Sequence, residues 1–349
     1  GLTDVAGKSN AVETTIAQGA EGGVPSQAVA VTQLSAAATA SPTASPTPAV
    51  QAASDQPAAT AAPTAAAVPE PVFAGSAEGE TINVTMNGSQ QTLDLVRCLA
   101  MIAQNELGAN APAEAYKAQC VAAHCWIVSQ GGYPSVAGQE PGAAALAAAQ
   151  EVAHVLVSVN GSVCFTPYFA AASTGTASAA DVWGNSIAWL QAVDSPYDKD
   201  TASNWNTNGA STGCARFSRQ ALAARIQELL GIDLSGADPN GWFKILSANQ
   251  YGWVAQMQIG PDDGANTTCS GRWFREKLTA GQSVDGRSLR SQCFTFTYDA
   301  GLDCFLFDVY GYGHGCGMSQ WGAVGYANNG WDYRAILGHY FPGTSLTAY

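Results

Sequence analysis

The chain of 349 residues is poor in cations: 14 Lys and Arg stand against 27 Asp and Glu, a formal net charge of −13. It has no Lys/Arg cluster, so it is not expected to bind nucleic acid or anionic lipid, which needs phosphate contacts. An uninterrupted apolar run of about 18 residues, the length a membrane span needs, is also missing. CxxC pairs are absent too, which sets aside a zinc ribbon or a thioredoxin-like redox motif. Aromatic residues do not occur before Phe73.

That last absence divides the chain. From about Val24 to Gly75 the sequence is almost entirely Ala, Pro, Thr, Ser, Val and Gln, as in "SPTASPTPAV" and "AAPTAAAVPEP". Such a stretch has too few large apolar side chains to offset the entropy lost on folding, so residues 1–75 read as a disordered tail and linker. Residues 76–349 are the folded part. The chain begins at Gly1 without an initiator Met, and a Pro/Ala/Thr spacer suits a protein held at a surface and reaching across a wall. The expected location is outside the cell, on the wall side of the membrane, with an anchor ahead of Gly1.

What is present is nine cysteines: Cys98, Cys120, Cys125, Cys164, Cys214, Cys269, Cys293, Cys304 and Cys316. Most lie in apolar periodic segments, where a free thiol acts as a small buried hydrophobe. The odd count excludes complete internal pairing, and Cys214 with Cys269, both in polar surroundings, is the disulfide expected if one forms.

In the folded part, Asn87-Gly88 and Asn160-Gly161 sit between alternating segments and predict two β-hairpins. Helical spacing predicts helices over 94–107, ended by Gly108, and from Pro112 to the Gly131-Gly132 break. Further helices are expected near 143–150, 217–231 and 332–340, and two strands in "SQCFTFTYDAGLDCFLFDVYGYG". Helices and antiparallel hairpins in segregated runs predict an α+β fold built around a substrate groove.

Two features suggest chemistry. The stretch "GYGHGCGMSQWGA", residues 311–323, surrounds polar side chains with glycines and reads as a shaped loop. Glu106 falls about 20° from the Leu95, Leu99, Ile102 stripe at 100° per residue, on the side that faces the core. Partial desolvation there would raise its pKa and suit a general acid. The alternative is a helix-end Glu paired with a local N–H or an Arg.

Three blocks carry a resemblance. "MIAQNELGANAPAEAYKAQCVAAHCWIV" resembles the signature helix pair of the stage II sporulation protein D family, and "YFAAASTGTASAADVWGNSIAWLQAV" its central segment. "YGYGHGCGMSQWGAVGYANNGWDYRAILGHYFPGT" is similar to its C-terminal block. The resemblance implies a lytic transglycosylase that cuts the β-1,4 bond between N-acetylmuramic acid and N-acetylglucosamine in peptidoglycan, leaving a 1,6-anhydromuramoyl end. It implies Glu106 as the catalytic acid, with Glu114 a later, helix-start residue that complements the dipole. Ser173, Thr174 and Gly175 occupy the family's central turn. If they and the glycine loop line the glycan groove, His314, Ser319 and Gln320 supply donors and acceptors, and Trp321 an apolar platform. For His314 the alternative is a histidine that stiffens its own loop.

Some members of the family bind zinc through a His/Cys run that this sequence lacks, so no cofactor is expected; the resemblance implies, as partners, peptidoglycan strands and a cell-wall amidase. The same family includes amidase enhancers, so a non-catalytic wall module is the rival reading. Departures from the family pattern place Cys120 and His124 four residues apart on one helix, and His314 with Cys316 in the loop. If the loop packed on that helix, these four side chains would form a zinc site; a metal-dependent hydrolase built on Cys120, His124 and His314 is a third reading. A thiol nucleophile at Cys120 or Cys316 lacks an accompanying signature.

Overall fold

A computed structural model describes residues 64–65, 79–202, 215–284 and 286–348. The tail expected over 1–75 therefore lies, apart from residues 64–65, outside the described residues, and so does Cys214 of the expected disulfide.

The architecture is α+β. It opens with a hairpin of β1 (Thr81–Met86) and β2 (Ser89–Asp94), paired from Thr81↔Asp94 to Met86↔Ser89. Both turn residues are left-handed, Asn87 at φ 51° and Gly88 at φ 82°, the geometry that matches the twist of the strands it joins. Asp94 then caps α1 (Leu95–Leu107), accepting from the Arg97 N–H at 2.8 Å. The helix α2 (Ala113–Gln130) starts behind Pro112. It is apolar nearly all round, with residues such as Tyr116, Val121 and Trp126 buried, which only a central helix tolerates.

Next come the short strand β3 (Ser135–Val136), α3 (Ala143–Val152), and the second hairpin, β4 (Val155–Val159) with β5 (Ser162–Val163). The strand β6 (Tyr168–Phe169), α4 (Ala179–Trp183) and the single turn α5 (Asp198–Thr201) complete this part.

Residues 215–309 build a second core. Here β7 (Ala215–Ser218) is followed by α6 (Arg219–Leu230), then the antiparallel sheet of β8 (Phe243–Ala248), β9 (Val254–Ile259) and β10 (Thr267–Ser270). The pair β11 (Phe294–Asp299) and β12 (Cys304–Val309) joins β7 in a third sheet. The chain returns to the first core through β13 (Met318–Ser319), α7 (Gln320–Asn328), α8 (Tyr333–Tyr340) and β14 (Ser345–Ala348).

The ladders are antiparallel except for β1 with β3 and β6 with β13. The second exception matters, because the pairs Met318↔Tyr168 and Ser319↔Phe169 lay the end of the glycine loop along the strand beside the helix pair. Helix α2 packs against α1, α3, α7 and α8 and is the post around which the site assembles.

Candidate active site

Glu106 stands one residue before the end of α1, half-buried. Gly108, at φ 79°, stops the helix behind it, and the Tyr116 hydroxyl from α2 donates to the Gly108 carbonyl, tying the connecting loop to the next helix. The Gln320 side chain reaches Glu106 from the first residue of α7, its Nε2 donating to Oε2 at 2.7 Å. The same nitrogen lies 3.5 Å from Oε1 of Gln119, a fully buried residue of α2. The amide nitrogens of Asn105 and Gln119 are buried and find no partner in the protein.

The fully buried hydroxyl of Tyr168 is pushed well above its ordinary range, first by burial and then by the negative charge of Glu106. A helix end, two glutamines and a tyrosine from four segments thus surround one carboxylate.

The glycine loop reaches this place because its backbone is left-handed at alternate residues. A Cβ at Gly315 would strike the Trp253 ring, and one at Gly317 the Pro167 carbonyl, so both positions need glycine for close approach as well as for φ. From the second core, Arg275 donates to the Gly313 carbonyl at 2.7 Å and Gln292 to the His314 carbonyl at 2.7 Å.

His314 is buried in this loop. Its Nε2 sits 3.1 Å from the Tyr168 carbonyl, and its Nδ1 accepts from the Cys316 N–H at 3.2 Å. Its ring lies between Phe169 and Trp183, at centroid distances of 5.5 and 5.6 Å. Burial, aided by Arg272 and Arg275, pushes its imidazole down to about 3, so it is neutral at any ordinary pH. Both ring nitrogens bond to backbone of nearby segments.

The remaining sequence candidates fall in three groups. Ser173 is buried, its hydroxyl donating to the Tyr251 carbonyl at 2.8 Å; Thr174 is exposed; Gly175 is buried under the Tyr251 ring and its carbonyl accepts from the Trp253 indole at 2.8 Å. Ser319 is fully buried and caps α7, accepting from the Gly322 N–H at 3.1 Å. Trp321 is half-buried against Ala170, Ala171, Ala202 and Tyr312, and its backbone carbonyl accepts from the Thr201 hydroxyl at 3.0 Å. Another sequence candidate, Gln320, bonds to Glu106.

Two expectations need correction. Glu114 does more than complement a helix dipole. It pairs with Lys117 at 2.8 Å and accepts from the Tyr333 N–H at 2.8 Å, fastening the start of α8 to α2. The four-ligand zinc arrangement of Cys120, His124, His314 and Cys316 does not form. Among the described residues, no three His, Cys, Asp or Glu side chains converge on a point where a metal ion could sit. Cys120 instead donates to the Leu99 carbonyl at 3.7 Å, and burial pushes His124 down to about 4. The eight described cysteines are buried free thiols, Cys269 included. Burial raises both Cys120 and Cys316, the opposite of what a thiolate nucleophile requires.

Sequence reasoning missed Tyr168, Gln119 and a buried carboxylate, Asp198. Gln119 gave a usable signal, a polar side chain inside the apolar run "AQCVAAH". Asp198 gave none, because "SPYDKD" reads as an exposed charged turn. It is fully buried, and its Oδ1 accepts from the Ala172 N–H at 2.7 Å and from the Ser319 hydroxyl. Its Oδ2 accepts from the Ser195 hydroxyl at 2.5 Å, which in turn lies 2.6 Å from the Tyr340 hydroxyl.

No family model matches the chain. Among curated proteins it is 28% identical over 180 residues to stage II sporulation protein D of Bacillus subtilis (strain 168), a match covering 52% of this chain and 44% of that one. The same identity and coverage hold for stage II sporulation protein D of Bacillus amyloliquefaciens. Over 284 residues it is 25% identical to the amidase enhancer of Bacillus subtilis (strain 168), covering 70% of this chain and 39% of the relative. The matches thus span less than half the length of these curated relatives. Taken with the three motif blocks in their order along the chain, these matches make the chain similar to stage II sporulation protein D and to the related amidase enhancer.

Proposed function

We propose that this protein acts on the bacterial cell wall as a lytic transglycosylase of peptidoglycan strands, with Glu106 as its general acid and base. The observation that carries this reading is the Gln320 to Glu106 bond, which holds one half-buried carboxyl at a helix end with Oε2 engaged. In its protonated form Glu106 donates to the glycosidic oxygen, and the bond from that oxygen to the anomeric carbon of the muramoyl unit breaks. The sugar's own C6 hydroxyl then attacks the oxocarbenium-like carbon and returns its proton to Glu106. The carboxyl ends as it began, no water is consumed, and no second carboxylate base is needed. The unpartnered amide nitrogen of Gln119, whose oxygen lies 3.5 Å from Gln320 Nε2, supports this reading, since a buried donor left open next to that glutamine suits the hydroxyls of a bound sugar or its waters.

The substrate is peptidoglycan glycan strand, and the place of action is the wall side of the membrane. No helix of the described residues is long and apolar enough to cross a membrane. The match to an amidase enhancer favours a second reading, in which the chain assists a wall amidase without cutting glycan itself. Mass spectrometry of purified strands treated with the protein separates the two. Anhydromuramoyl ends are expected for the transglycosylase, whereas hydrolysed ends or intact strands would overturn it.

A further inference from the structure

Asp198 lies outside the chemistry just described, yet its carboxyl joins three segments, one of them the start of the helix whose first residue, Gln320, bonds Glu106. One oxygen holds the backbone after β6 through the Ala172 N–H, and holds the start of α7 through the Ser319 hydroxyl. The other holds the 195–198 turn through Ser195, with Tyr340 of α8 behind it. Ser319 also accepts from the Ala172 N–H at 3.2 Å and caps α7, whose first residue is Gln320. The fit is tight, because a Cβ on Gly322 would collide with the Tyr340 hydroxyl, Ser195 Oγ and Asp198 Oδ2 together. Among the described residues no cation pairs with Asp198, and a buried carboxylate of that kind is costly unless its hydrogen bonds organise something. Here the organised part is the helix start that presents Gln320.

We propose that Asp198 is a positioning residue for the Glu106 chemistry, setting through Ser319 and the N-terminus of α7 where the Gln320 amide meets the Glu106 carboxyl. The proposal rests on the function proposed above. Asp198 touches no substrate. It acts by fixing the register of one helix, and a misplacement of about 1 Å at a reacting group can cost up to about 10²-fold in rate.

The test uses the full chain with Asp198→Ala, Asp198→Asn and Gln320→Ala, singly and with Asp198→Ala in the Gln320→Ala background. On peptide-free strands, Asp198→Ala should lower kcat by about 10 to 10²-fold with little change in KM. Asp198→Asn should recover most of that loss, because its amide oxygen still accepts from Ala172 and Ser319 and its NH2 can donate to Ser195. Adding Asp198→Ala to Gln320→Ala should cost little more, since residues acting through one contact are not additive. If Asp198→Ala does not fold, Ser319→Ala takes its place with the same expectations.

A second readout does not depend on turnover: the titration midpoint of the Glu106 side-chain carboxyl, followed by carbon NMR. Losing the donated N–H should move it upward by the same amount in Asp198→Ala and Gln320→Ala. If the wild type yields no anhydromuramoyl product, the proposed function fails, and this readout alone still decides the role of Asp198. A folded Asp198→Ala or Ser319→Ala protein with an unshifted Glu106 midpoint, or with effects additive to Gln320→Ala, overturns the proposal.

Discussion

The core that carries α1 and α2 is rich in alanine and cysteine, with aromatic rings such as Tyr116, Trp126 and Tyr168 among them, whereas the core of residues 215–309 is dominated by phenylalanine. In the first region α2 brings Ala115, Ala118, Cys120, Ala122 and Ala123 against its neighbours, and short side chains let four helices approach one post. Polar side chains such as Gln119 and Gln320 can then occupy the interior without leaving voids. In the second region Phe217, Phe243, Phe274, Phe294, Phe305 and Phe307 interlock, with Phe307 at 5.3 to 5.4 Å from Phe294 and Phe217. No sequence-predicted site residue lies there. Its contribution to the site is mechanical, through Arg275 and Gln292 bracing the glycine loop. Chemistry rides on the small-residue core, and the aromatic core holds its loop in place.

Four experiments sharpen or break this division. The largest effect is expected at Glu106. Glu106→Gln keeps size and most hydrogen bonding but removes the transferable proton, so release of anhydromuramoyl products should fall by about 10² to 10⁴ while the melting temperature holds. An unreduced rate would remove Glu106 from the mechanism.

The mirror image is Phe307→Ala in the aromatic core. It should cost about 3 to 5 kcal/mol in denaturant unfolding, with activity per folded molecule close to wild type. A collapse of kcat in the folded fraction would show that the second core does more than brace.

Asp198 gives the third test. Burial pushes its carboxyl up to about 7 from an ordinary value of 3.8, although bonds from Ser195, Ser319 and the Ala172 N–H pull the other way. The groups facing it are these donors, with Tyr340 and Tyr326 nearby, all neutral. A carboxyl with a raised folded value favours the native state when protonated. Its contribution is therefore full below about pH 3.8, declines as pH rises, and is gone above about 7. The slope in that window approaches about 1.4 kcal/mol per pH unit. Urea titrations of wild type against Asp198→Asn should show this component flattened in the variant, and parallel curves would contradict it.

The smallest effect is expected for Glu114→Gln. It loses the charge that pairs with Lys117 but keeps an acceptor for the Tyr333 N–H, so about 1 kcal/mol of stability should go, with kcat unchanged. A large fall in rate would move Glu114 into the machinery.

Much of the first core was legible along the chain. Asn87-Gly88 and Asn160-Gly161 marked both hairpins, Gly108 and Gly131 ended α1 and α2, and helical spacing put Glu106 on the inner side. Helix α7 was not, because Gly322 and Gly325 within "QWGAVGYAN" look like loop residues. Their role is close approach: a Cβ on Gly325 would run into the Tyr197 side chain. The sheet over 243–270 was missed as well, since β8 carries a register irregularity near Ser247 that blurs its alternation.

The sequence by itself determined the local elements, the side of α1 on which its acid sits, and the resemblance to stage II sporulation protein D, because period, turn chemistry and motif order are properties of neighbouring residues. Only the tertiary structure decided that Gln320 meets Glu106 across 214 positions, and that an aspartate in an apparently exposed turn is buried among hydroxyls. Both depend on which distant segments close on one another, and that follows from the burial of whole faces and the pairing of β13 with β6, to which no local pattern is sensitive.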